Sequence, residues 1–126
     1  MSTISKKRHI AGWVLTGFIG FAMSASAAGK LSGAQPMVEN FAKMHLDGYL
    51  KPIAVLELVC ALLFVIPKTQ SVGVLLVTGY FGGAIVAHLA AATPSEIVPA
   101  LVLGAIAWTA NFLKNPQMFE SLTRAM

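Results

Sequence analysis

Glu57, His88 and Lys30 are the residues whose types invite chemistry, because each lies inside or at the end of an apolar run. Glu57 lies nine residues into YLKPIAVLELVCALLFVI (49–66), too far from either end for its side chain to reach water. Placing an Asp, Lys or Arg at the centre of a spanning helix costs about 2.5 to 3.5 kcal/mol. Glu57 is therefore expected to face the interior of a helix bundle, either protonated or paired. His88 falls in the last part of the apolar run 71–92, and Tyr80 and Ala84 share its face at four-residue spacing. If successive helices run antiparallel, Glu57 and His88 differ in depth by no more than about one and a half turns at about 1.5 Å per residue. A carboxyl and an imidazole so placed can relay a proton, or hold the polar group of a small apolar ligand. Each residue also has a plainer reading: a hydrogen-bonded structural carboxyl, a satisfied core histidine, and a helix-end lysine reaching for the headgroups.

Other chemistries find little support. His45 and His88 lie far apart with no close-spaced ligand pattern, so no zinc or di-iron site is expected. Cys60 is the one cysteine, which excludes an intramolecular disulfide and a CxxC motif. Gly79 to Gly83 lacks the strand context of a phosphate loop, and no Ser/His/Asp arrangement can be assigned. No flavin, haem or iron–sulfur motif is visible.

The elements that must position these residues follow from composition. The chain has 126 residues, of which 56% are hydrophobic and 11% charged, whereas a soluble domain carries about 25% charged residues. Lipid is the expected solvent. Four runs reach the roughly 20 residues that a spanning helix needs: 10–29, 49–66, 71–92 and 96–113. Ser95 and Glu96 suit the start of the last. Between the first two, Met37 to Leu46 has the spacing of a short amphipathic helix lying at the interface. Continuous apolar runs without strict alternation argue against a β-barrel. The expected fold is thus all-α, a four-transmembrane-helix bundle with a short interfacial helix between helices 1 and 2, formed by residues 1–126 as a single domain.

The stretch SASAAGKL (24–31) resembles a signal-peptide cleavage site, since basic residues and an apolar run precede it. The run joins the small residues to reach spanning length, so an uncleaved first helix is expected. With both termini cytoplasmic, Lys6, Lys7, Arg8, Lys68, Lys114 and Arg124 lie inside against Lys30, Lys43 and Lys51 outside, in keeping with the positive-inside rule. The expected location is the inner membrane, with multiple passes. The formal charge of +4 is explained by this topology and not by nucleic acid. Gly20, Ser24 and Ala28 on the first helix, and Gly79 and Gly83 on the third, are the expected packing surfaces, because small residues let membrane helices approach.

AAGKL (27–31), VLEL (55–58), GYFGGAIVAHL (79–89) and WTANFLKNP (108–116), in that order and spacing, resemble the DoxX-like family of small four-helix membrane proteins. The resemblance covers about residues 10 to 116. It implies a four-helix transmembrane bundle, with Lys30, Glu57 and His88 at the family's polar motif positions. It also links the chain to membrane subunits of a thiosulfate to quinone oxidoreductase, to oxidative-stress complexes and to receptor chaperones. Fold likeness is a poor guide to function. Two functions stay open: an accessory protein that binds a small apolar, quinone-like ligand at a Glu/His polar centre, or a membrane subunit of a quinone-linked oxidoreductase using Glu57 and His88 for protons. The second requires a redox partner, as the first allows a complex-assembly partner. A transport pathway through four helices would require a homo-oligomer.

Overall fold

A computed structural model describes residues 5–124 of the chain. Its first helix, α1 (Lys6–Ser32), begins where the Ser5 hydroxyl accepts from the Arg8 backbone N–H and ends at Gly33, whose φ of 74° is the left-handed conformation that glycine reaches without a Cβ penalty. SASAAGKL lies wholly within it. A short helix, α2 (Gln35–Lys43), follows with Pro36 in its first turn. The remaining long helices are α3 (Leu50–Val65), α4 (Gln70–Ala90) and α5 (Ile97–Lys114), each introduced by a single 3₁₀ turn.

Four helices, counted with those turns, are long and apolar enough to cross a membrane. The expected all-α architecture with a short helix between the first two spans is therefore present, and no strand occurs among the described residues. One boundary differs. Pro94–Glu96 forms a 3₁₀ turn, so α5 starts at Ile97 and no side chain caps it, contrary to the expected role of Ser95.

A further helix, α6 (Pro116–Arg124), was not expected. Pro116 stops α5, but it also suits a first helical turn, and Met118, Phe119 and Leu122 recur at helical spacing. Phe119 packs edge-on against Trp108 and Phe112, with ring centroids 5.5 and 5.1 Å apart. Trp108 also donates its indole N–H to Thr78 across the α4–α5 seam at 2.7 Å.

The four long helices form a closed ring: α1 packs on α3 and α5, and α4 packs on α3 and α5. Ile19, Met23, Phe64, Val74, Val77 and Ala107 fill its interior. Large apolar side chains such as Phe21, Val86, Val14 and Leu101 point outward, as a lipid solvent requires. At the end where α1 begins and α5 finishes, Lys114 is buried with its ammonium 4.0 Å from the centre of the Trp13 ring, a cation–π contact.

The small residues pack differently from the sequence expectation. Gly20 is buried and faces Val65. Ser24 and Ala28 are exposed, because the buried stripe of α1 instead runs through Thr16, Ile19, Met23, Ala27 and Lys30. Gly79 and Gly83 are exposed, and a Cβ on either would meet nothing within 4 Å. The close approach falls at Gly73, where a Cβ would collide with the backbone of Leu63 and Phe64. Gly12 plays the same part between α1 and α5, against Lys114 and the Ala110 carbonyl.

Candidate functional site

The register of α3 against α4 sets the site. Phe64 meets Gly73 at one end of this antiparallel pair. Glu57 lies seven residues before Phe64 and Tyr80 seven after Gly73, two helical turns along each helix. Both are thereby carried to one level on the inner face.

Lys30 enters from the last turn of α1. Long helical side chains lean back toward the helix N-terminus, which takes its ammonium down to the level of Ser26. There Lys30 Nζ donates to Glu57 Oε1 at 2.6 Å, to Ser26 Oγ at 2.9 Å and to the Tyr80 hydroxyl at 3.0 Å. An ammonium has three hydrogens, and all three are engaged. Lys30 is 8% exposed and Glu57 3%, so the pair is a charge-assisted contact removed from water. It ties α1, α3 and α4 together. The lysine does not reach out to the headgroups, because an acceptor for each of its hydrogens lies inward.

His88 does not join this cluster. Its Nδ1 lies 3.1 Å from Thr93 Oγ1, and the same hydroxyl donates to the His88 carbonyl at 3.2 Å, fastening the end of α4. Eight residues of helix separate it from Tyr80, a rise of about 12 Å. It reaches the site through the cavities instead.

A cavity of about 410 Å³ opens beside the cluster, bounded by α1, α2, α3 and α4. Met37, Phe41, Met44 and Leu56 supply apolar wall, while Gly79 and Gly83 border it without filling it. The amphipathic spacing read for the α2 region thus has a use inside the protein: its apolar stripe faces this cavity. A second cavity of about 190 Å³ lies on the other side, against Met23, Glu57, Phe81 and Leu103. Ser26, Lys30, Tyr80, Ala84, His88 and Glu96 line both.

Lys30, Glu57 and Tyr80 are therefore brought together, and His88 sits at the cavity wall away from them. Ser26 and Glu96 were missed as site residues. In the sequence Ser26 is one small residue of SASAA, yet its place four residues before Lys30 puts a hydroxyl on the same helix face. Glu96 carries in the sequence only the signal of a helix-start acid. Among the described residues no group of three or more His, Cys, Asp or Glu side chains is placed to hold a metal ion.

Comparison with known proteins adds one result. A family model described as the DoxX-like family matches residues 14–110, a span that includes Ser26, Lys30, Glu57, Tyr80 and His88. No curated protein and no solved structure matches the chain.

Proposed function

The chain belongs to the DoxX-like family, and from that premise we propose that it is an accessory membrane protein which binds a small apolar, quinone-like molecule. In this reading residues 1–126 act as one multi-pass membrane domain. The observation that carries the reading is the cavity of about 410 Å³ with apolar walls and a buried polar cluster at its edge. Ligand sites are commonly concave, mostly apolar, of roughly 300 to 1,000 Å³, with a few polar groups to orient the occupant.

Native mass spectrometry of the purified protein tests it. Wild type is expected to retain a small molecule, and Gly83→Leu to lose it, because a leucine there projects into the cavity from an open backbone position. A wild type that is empty, or a Gly83→Leu protein equally loaded, would sink the reading.

A second reading is favoured by the smaller cavity, whose wall includes both Glu57 and His88. In it the chain is the membrane subunit of a quinone-linked oxidoreductase, these two side chains move protons, and a partner protein brings the electron donor. Co-purification of a redox protein with wild type, but not with a Glu57→Gln/His88→Ala variant, supports this reading over the first.

The same proposal places both termini on the cytoplasmic face of an inner membrane: with the buried Lys30 and Lys114 set aside, Lys6, Lys7, Arg8, Lys68 and Arg124 fall on that side against Lys43 and Lys51. A reporter fused after Met126 is expected to be active only when it reads the cytoplasm. Activity confined to the outer side would invert the topology.

A further inference from the structure

We infer that the ligand is a neutral molecule whose carbonyl-type oxygen is received by the hydroxyl of Ser26, and that carboxylates are turned away. This rests on the ligand-binding reading above and adds which chemical class the cavity takes.

The three hydrogens of Lys30 are spent on Glu57, Ser26 and Tyr80, so this ammonium, the one in the cavity wall among the described residues, has no donor left for an anion. Its charge is already offset by Glu57 at 2.6 Å. Glu96 adds a second carboxyl to the wall, and His88 is the other group there able to carry positive charge, with its Nδ1 engaged by Thr93. Among the described residues an anionic ligand would meet no free cation at the cluster, and it would lose its hydration on entry.

The hydroxyls tell the complementary part. Thr16, Thr78, Thr109 and Thr123 each donate their hydroxyl hydrogen to the carbonyl four residues earlier in their helix, the usual resort of a hydroxyl within a helix. Ser26 does not. Its oxygen accepts from Lys30, and among the described residues no chain group takes its hydrogen. Ser26 lines both cavities, so this hydrogen is a donor available to an occupant. The Tyr80 oxygen also accepts from Lys30, but its own hydrogen has the Glu57 carboxylate as partner, so Ser26 is the hydroxyl with a donor to spare. The Ser26 hydroxyl is polarised by the ammonium behind it. A donor without free charge matches a neutral acceptor oxygen, and the apolar wall of Met37, Phe41 and Leu56 matches the rest of such a molecule.

The test uses three probes of one shape: acetophenone, a neutral acceptor; benzoate, its anionic counterpart; and ethylbenzene, which has no acceptor. Ligand-detected NMR titrations of the full-length protein in a single detergent give their relative affinities, and partition into micelles cancels when variants are compared for the same probe. Wild type is expected to bind acetophenone at least about tenfold more tightly than benzoate. Ser26→Ala removes one donor and frees one hydrogen of Lys30, so the preference for acetophenone over benzoate is expected to fall by about tenfold, with ethylbenzene unchanged. Structural damage would weaken all three probes together and leave the preference unaltered. Tyr80→Phe takes away an acceptor of Lys30 and so frees another of its hydrogens, and is expected to shift the preference in the same direction.

Benzoate binding to wild type as tightly as acetophenone would overturn the inference, as would a preference unmoved by both substitutions. If no probe binds wild type more tightly than Gly83→Leu, the cavity reading itself fails and this inference with it. Cavity-dependent binding of all three probes with no preference would leave that reading standing and remove only the present one.

Discussion

Glu57→Leu is expected to lower the stability of the folded bundle by about 3 to 5 kcal/mol, the usual cost of removing one partner from a buried ion pair. The cost arises on Lys30. Its ammonium, 8% exposed in the wild type, would lose the one carboxylate that contacts it among the described residues and keep two hydroxyls, which satisfy hydrogens but offset no charge. Glu57→Gln should be milder, because the amide oxygen still accepts from Nζ. The double variant Lys30→Met/Glu57→Leu removes both charges and should recover most of the loss, since apolar groups of similar size replace a buried pair at little net cost. Reversible unfolding in mixed micelles, followed for the wild type, both singles and the double, measures the coupling. A double variant no more stable than Glu57→Leu would show that the pair does not act as a unit.

That pair also shows how far residue types carried the sequence reading. A carboxylate in mid-span was legible from energetics alone, since an ionisable group in an apolar run must turn inward. The lysine was harder to place. A helix-end lysine can extend outward or fold back, and the choice depends on where acceptors lie on two other helices, which one helix's sequence does not contain. His88 illustrates the opposite failure. It shares a face with Tyr80, but eight residues of rise separate the two, and Thr93 beyond the end of α4 offers it a nearer partner. Shared face was legible; shared level was not.

The helices themselves were legible because hydrophobic length sets them, and α6 was overlooked because a proline ends one helix as readily as it begins the next. The small-residue pattern misled for a similar reason. Gly79 and Gly83 have the spacing of a packing motif, yet they border a cavity, whereas the glycine at which two helix backbones approach stands outside the motif. Spacing identifies a smooth strip on a helix. Whether a neighbour occupies that strip is decided by the register of the whole pair.

Gly73→Val is accordingly expected to be among the most damaging single substitutions in the chain, costing more than about 3 kcal/mol, at or beyond the upper end of ordinary overpacking. A Cβ at this position would collide with backbone atoms of Leu63 and Phe64, and backbone cannot rotate aside as a side chain does. Phe64 is fully buried in the core, so α3 and α4 must separate as bodies. Gly83→Val, on the same helix, meets nothing within 4 Å of the new Cβ and should change stability by less than about 1 kcal/mol. Unfolding of the two variants beside wild type makes the comparison, and a Gly73→Val protein as stable as Gly83→Val would mean that the helices do not approach so closely. The smaller change, Gly73→Ala, links packing to the site. Because Glu57 and Tyr80 lie two turns from the Phe64–Gly73 crossing, a wedge there draws Tyr80 away from Lys30 and breaks the 3.0 Å hydrogen bond. Where Gly73→Ala remains folded, it should erode the preference for a neutral acceptor in the same direction as Tyr80→Phe, although residue 73 lies outside the cavity wall.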